Sequence, residues 1–292
     1  MSTAGQRNST SDSWSEARLS PGDFARLGEW IQRGCGIRMP ASKRITVETR
    51  LRKRLRALGL ADFRGYCEYV FSAAGEGERT HLVDAITTNK TDFFREPQHF
   101  EYLVRAALPA LVGARGAGVR RPLAVWSAGC SSGEEPYTLA MVLNEVAEGM
   151  PGFRFLLLAT DLSTAVLRRA AQATYDEERI APIPLPLRKK YLLRSMDRSR
   201  GLVRVAPEVR EHVRFRQLNF MDDDFRLREP MDVIFCRNVM IYFDRPTQAA
   251  VLNRFCRHLE PGGYVFLGHS ETINGLAVPL RQVAPTIYRL AG

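Results

Sequence analysis

The sequence predicts an α/β protein: a mostly parallel, doubly wound sheet with a small inserted β subdomain, preceded by an all-helical N-terminal domain. Three observations predict it. Up to about residue 88 apolar side chains recur at helical spacing, from about residue 120 short apolar runs alternate with helical stretches, and between about 173 and 214 prolines break that alternation. The expected divisions are a disordered tail over 1–15, a helical domain over 16–88, and a sheet domain over 89–292 with the insert at about 173–214. With 292 residues, 45% of them hydrophobic, the chain can build a real core for each part.

The tail, MSTAGQRNSTSDSWSEA, has no basic segment followed by an apolar one, so it does not read as a signal peptide. No apolar run approaches the roughly 20 residues of a membrane helix. A cytoplasmic protein without membrane insertion is expected, with a monomer as the default. Cys35, Cys67, Cys130, Cys236 and Cys256 are odd in number and lack CxxC spacing, which fits reduced thiols; neither a disulfide frame nor a metal site is expected. A net charge of +10 favours an acidic partner.

Ser20, with Pro21 behind it and Asp23 in the first turn, signals a helix start. Phe24, Leu27, Trp30 and Ile31 form its apolar face, and Gly34 and Gly36 end it. The next helix, SKRITVETRLRKRLRALGL, places Val47, Leu51, Leu55 and Leu58 on one stripe. Its remaining faces carry Lys43, Arg44, Arg50, Arg52, Lys53, Arg54 and Arg56 against the single acid Glu48, a run that serves equally well as a solvated face or as a docking surface. Helical pattern continues from Phe63 to Ile86.

The expected strands are PLAVWSAG, FRFLLLATD, HVRFRQLNF, MDVIFCRN, GGYVFLG and APTIYRL. Ligands of such sheets bind beyond the carboxyl ends of the strands. The first four strands lead into GCSSGEE, Asp161, Asn219, and Arg237 with Asn238 respectively, so each strand end carries at least one polar group. The stretch VWSAGCSSGEEPYTLAM turns on Gly129 and Gly133 but has neither the Gly-Lys-Ser/Thr of a phosphate loop nor a GxGxxG fingerprint. Cys130 and Ser132 read as small residues in a turn that tolerates change. Glu134 and Glu135 suit the first turn of a helix through its dipole. Acids at a sheet rim also repel pyrophosphate and receive hydroxyls or an ammonium group, which suits a cationic nucleoside such as S-adenosylmethionine.

Taken together, ITTNKTDFFRE (Ile86 to Glu96), VWSAGCSSGEEPYTLA, ATD (Ala159 to Asp161), FCRNVMIYFD (Phe235 to Asp244) and LGHSE (Leu267 to Glu271) closely resemble the chemotaxis receptor methyltransferases, the CheR family. The resemblance runs in order over about residues 20 to 290. It implies a Rossmann-like class I methyltransferase sheet that uses S-adenosylmethionine to methylate glutamate side chains on the cytoplasmic helices of chemoreceptors. Carried over residue by residue, the cofactor contacts are Asn89, Thr91, Arg95, Glu135, Asp161, Asn219, Phe220, Arg237 and Asn238, with Arg95 and Tyr242 nearest the transferred methyl. Some members of the family also bind a receptor's C-terminal tail peptide at the edge of the insert by β-augmentation. Here the turn SMDRSRG has one glycine where the better-known tail-binding members are glycine-rich, a departure that weighs against tail binding.

The chemistry agrees. A glutamate with a pKa of about 4.3 is already a nucleophile at neutral pH, so no general base is required. Transfer from a sulfonium to a carboxylate cancels two charges, which a water-poor cleft favours. Alignment is then the remaining task, and the Arg95 guanidinium matches a carboxylate's two oxygens. Plainer roles compete: Asn89 and Thr91 as helix caps, Phe93 and Phe94 as core, Tyr242 as packing. Cys236 lies within a strand and reads as inert. His269 and Ser270 lack a GxSxG elbow, which excludes a hydrolase. The basic helix, through Arg50, Lys53, Arg54 and Arg56, is expected to dock against glutamate-rich receptor helices. A nucleic-acid methyltransferase is the competing enzyme class, but RNVMIYF lacks the paired prolines of base-methylating relatives, so no nucleic-acid partner is expected. A cofactor-sensing module without catalysis is the third reading, against which Arg95 and Tyr242 stand.

Overall fold

The computed structural model describes residues 17–291; the expected tail over 1–15 lies outside them. The chain divides into two compact units between Thr88 and Asn89. The first is all-helical. Helix α1 (Pro21–Cys35) starts as its sequence dictates: the Ser20 hydroxyl accepts from Asp23 N, Pro21 needs no partner for a missing N–H, and Gly36 closes the helix at φ 71°. Helices α2 (Arg44–Leu58), α3 (Phe63–Phe71) and α4 (Glu76–Ile86) come next. Their apolar stripes meet in one cluster around Leu27, Ile31, Leu51, Leu55, Tyr66 and Leu82, all fully buried.

Among the described residues of this unit two acids are buried, and each takes an arginine partner from the basic helix. Glu78 accepts a fork from Arg54, at 2.8 and 2.6 Å, and a bond from Tyr66 Oη. Glu48 accepts from Leu19 N and Arg52. Arg50 donates to the carbonyls of Ala85, Ile86 and Thr87, satisfying the C-terminal end of α4. The expected docking set of Arg50, Lys53, Arg54 and Arg56 therefore needs correcting. Arg50 and Arg54 are engaged inside their own unit, and Lys53 and Arg56 are the two exposed members.

In the second unit, α5 (Gln98–Tyr102) and α6 (Leu108–Arg115) lead into the sheet, whose strands are β1 (Leu123–Ala128), β2 (Phe155–Asp161), β6 (Val213–Gln217), β7 (Met231–Cys236), β8 (Leu259–Leu267), β9 (Leu280–Ala284) and β10 (Ile287–Leu290). The order is β6-β2-β1-β7-β8-β10-β9, parallel from β6 to β8 and antiparallel beyond. The near-continuous apolar runs of β1 and β7 result from helices α7 (Glu134–Gly149), α8 (Thr164–Gln172) and α11 (Arg245–Arg257) alternating with the strands. The chain leaves β1 for β2 on one side, and after β6 it crosses back to β7 on the other, so the strand order reverses at β1 and a crevice opens at its carboxyl end.

Between α8 and β6 a second sheet forms from β3 (Thr174–Asp176), β4 (Leu192–Arg194) and β5 (Leu202–Val205), in the antiparallel order β3-β5-β4. Helices α9 (Leu185–Tyr191) and α10 (Pro207–Arg210) complete this insert. Val213 already belongs to the main sheet. No described helix is long and apolar enough to cross a membrane.

Candidate active site

The loop after β1 is built on positive φ angles, at Gly129 (86°), Ser131 (49°) and Gly133 (98°). At Gly129 a Cβ would lie 2.6 Å from Val239 Cγ2, so only glycine fits. Gly129 N and Cys130 N both bond to Thr160 O, fixing the loop to the end of β2. There Asp161 accepts from Ser131 N through Oδ2 (2.8 Å) and from Ser163 N through Oδ1 (2.9 Å). Ser131 Oγ in turn donates to Asn89 O, tying the segment before α5 to the same loop. The reading of Cys130 and Ser132 as replaceable is corrected by these contacts. Cys130 is 1% exposed within the core, and Ser132 uses its hydroxyl on Glu134 and its carbonyl on Tyr175 Oη.

The two acids of the motif have different tasks. Glu135 Oε1 accepts from Ser127 Oγ and Oε2 from Arg237 Nε, each at 2.7 Å. Glu134 is fully buried and pairs with Arg179 of the insert at 2.5 Å; burial pushes its carboxyl above the usual range.

Arg237, at the end of β7, is the hub. Besides Glu135 it gives Nη1 to Arg95 O at 2.6 Å, and the same Nη1 lies 3.3 Å from His99 Nδ1 and 3.5 Å from Glu96 Oε2. Arginine only donates, so His99 Nδ1 is the acceptor and Nε2 carries the proton toward Thr286 Oγ1. Burial first, then Arg237, lowers the His99 pKa to about 4, which keeps the ring neutral. Glu96, His99 and His269 bring ligand atoms within 4.8 Å of one another, and Glu96 and His99 of these face the Arg237 guanidinium.

Asn238 stands at φ 60°, with its N bonded to Glu271 Oε2. Glu271, the acid of LGHSE, also accepts from Gly268 N and Ile241 N, and so staples the loop after β8 to the turn Met240–Tyr242 that carries Tyr242.

Of the residues expected to contact cofactor, Asn89 and Asp161 meet through Ser131, Thr91 bonds Arg179 through its carbonyl, Arg95 and Glu135 meet through Arg237, and Asn238 bonds Glu271. Arg95 bonds Lys90 O through Nη1. Asn219 Oδ1 accepts from Met221 N beyond β6. The Phe220 ring packs with Trp126, Phe225, Phe243 and Phe255, and its carbonyl accepts from Arg254 Nη1. Cys236 is fully buried with its thiol pKa pushed up by burial, as its strand position implies. Sequence reasoning missed Glu96, His99, Arg179 and Glu271. Glu96 and Glu271 end two of the quoted motifs, and that position was the signal available for them.

The site suits S-adenosylmethionine. Glu135 and Asp161 place carboxylates, which accept from hydroxyls and ammonium groups, on either side of the glycine loop, and that loop brings no lysine to meet a pyrophosphate.

Comparison with known proteins gives the same cofactor. Residues 89–288 match the family model described as the CheR methyltransferase SAM binding domain, and residues 22–87 match the CheR methyltransferase all-alpha domain. The chain is 41% identical to the chemotaxis protein methyltransferase 2 of Pseudomonas aeruginosa, over 91% of this chain and 92% of that protein. It is 37% identical to the chemotaxis protein methyltransferase of Borreliella burgdorferi (93% and 95% covered) and 38% identical to that of Escherichia coli (94% and 92%).

Proposed function

Because the chain belongs to the CheR methyltransferase family and is an S-adenosylmethionine-dependent methyltransferase, we propose that it methylates glutamate carboxylates on the cytoplasmic helices of chemoreceptors, giving methyl esters. The observation that carries this reading is the acid-rimmed crevice at the end of β1, where Glu135 and Asp161 flank a glycine loop in a chain that matches chemotaxis methyltransferases over nine-tenths of its length. The enzyme would work in the cytoplasm, where its substrate helices lie.

When bound, the cofactor supplies a methyl group activated by a sulfonium. Glu135 and Asp161 would hold its hydroxyls and ammonium, Asn89, Thr91, Asn219 and the Phe220 backbone would close around the nucleoside, and Arg237 and Asn238 would complete the floor. Arg95 would position the incoming carboxylate by a two-point contact. Its backbone is fixed for this by Arg237, whose Nη1 holds the Arg95 carbonyl. Tyr242, on a turn stapled by Glu271, would line the approach to the methyl. No residue is asked to act as base, since the substrate carboxylate is ionised at neutral pH. Lys53 and Arg56 would meet acidic receptor helices. The insert offers an edge for a receptor tail, although its turn departs from that of tail-binding members.

Incubating the protein with methyl-labelled cofactor and receptor cytoplasmic fragments tests the reading. Label released as methanol by mild base is expected. Label on added RNA or DNA, or base-stable label on the receptor, would overturn it.

A further inference from the structure

We propose that Arg179 of the insert is a positioning residue for cofactor binding, which it secures by tying together the two segments, 89–95 and 129–135, that wall the crevice. The proposal rests on the cofactor assignment above and adds a part of the molecule outside the cofactor-binding sheet.

Arg179 sits on the 3-10 turn Glu177–Ile180, directly after edge strand β3. Its Nη2 donates to Thr91 O at 2.9 Å and to Glu134 Oε1 at 2.5 Å, so one guanidinium nitrogen joins both walls. Glu134 is fully buried and is the chain neighbour of Glu135. Its other oxygen accepts from Ser132 Oγ, which leaves Arg179 as the cation that neutralises it.

The same short stretch makes a second pair of contacts with the same two walls. Tyr175 Oη donates to Ser132 O at 2.8 Å, and its ring stands edge-on to Phe93 at 5.0 Å. A Cβ at Gly133 would come within 2.9 Å of Tyr175 Oη and 3.0 Å of Ala170 Cβ, so the loop is pressed against the insert without slack. Residues 175–179 therefore act as a clasp over both segments. None of its atoms belongs to the main sheet, so the clasp can fail while the sheet stands.

Removal of Arg179 frees the Thr91 carbonyl and leaves the Glu134 carboxylate buried without a cation. Both segments then become free to separate, and ordering them again opposes binding. The loss falls on cofactor affinity, because the Arg95 carbonyl stays held by Arg237 Nη1 and with it the alignment of the acceptor carboxylate.

The test is titration calorimetry of S-adenosylhomocysteine into the full chain, together with receptor methylation at saturating cofactor. R179A is expected to weaken binding about tenfold, the worth of roughly one charge-assisted hydrogen bond, with kcat within about threefold of wild type. R179K, which restores the cation, should recover part of the affinity. R179A/E134Q removes the unpaired charge and so guards against a folding defect; lacking the hold on Thr91, it should still bind about threefold more weakly or worse. Wild-type affinity in R179A or in the double variant overturns the proposal, as does a fall in kcat with affinity unchanged. If the wild-type protein itself fails to bind S-adenosylhomocysteine, it is the cofactor assignment that falls.

Discussion

Arg237 is 6% exposed, and its guanidinium serves Glu135, the Arg95 carbonyl and His99 at once. A lysine has a single ammonium and cannot span these partners with a planar fork, so the residue type is dictated by the geometry. The neutral state of His99 is part of that arrangement, since a protonated ring would face the guanidinium with no lone pair to offer. This makes a pH prediction. The unfolded chain takes up a proton at His99 near the ordinary 6.5 and the folded protein only near 4, so between these values the unfolded state holds more protons and stability falls as the pH drops. The full contribution is on the order of 3 kcal/mol. Urea midpoints measured between pH 7 and 4.5 should fall more steeply for wild type than for H99N, which keeps an acceptor and loses the titration; parallel curves would contradict this. Residues of this kind were the least legible in the sequence. His99 and Arg237 are 138 positions apart, and Arg179 and Glu134 are 45 apart, so nothing local marks them as partners. The positions of Glu135, Asp161 and Asn238 around the end of β1 were legible because each lies at or shortly beyond the carboxyl end of a strand.

Helix α2 shows the limit of reading charge along an element. Its basic residues read as one charged surface, yet Arg50 caps α4, Arg52 and Arg54 neutralise buried acids, and Lys53 and Arg56 remain exposed. The sequence could not separate these tasks, because burial of Glu48 and Glu78 is a consequence of packing among helices. The separation predicts two distinct phenotypes. R54A strands the Glu78 carboxylate and should cost about 3–5 kcal/mol of stability, read by denaturant unfolding. K53E/R56E should leave stability within about 0.5 kcal/mol and slow receptor methylation at low salt, with the difference fading as salt is added. Equal stability of R54A and wild type, or a salt-independent defect in K53E/R56E, would count against the division. Among the strands, the buried parallel ones were plain from their apolar runs. Strand β9, reading LRQVA at the sheet edge with no fully buried residue, was missed because an edge strand needs little apolar content.

At the scale of the molecule, the main sheet with its insert was visible in the alternation of apolar runs, and the helical unit in the stripe spacing of α1 and α2. The resemblance of five motifs then supplied the cofactor, which composition alone left open. Division at Thr88 means that a ligand held by the second unit should protect that unit chiefly. S-adenosylhomocysteine at about 100 times its Kd should add about 2.7 kcal/mol to amide protection over 89–291. Hydrogen exchange that slows instead mainly over 17–88 would place the ligand elsewhere. The reaction is defined by the atom that receives the methyl group. Peptide mapping by mass spectrometry of a receptor cytoplasmic fragment, after incubation with this protein and S-adenosylmethionine, tests it most directly. The account predicts methyl groups on glutamate side chains, removable by mild base and absent when those glutamates are replaced by alanine. Methyl groups found on lysine, arginine or a chain terminus, with the glutamates unmodified, would contradict it.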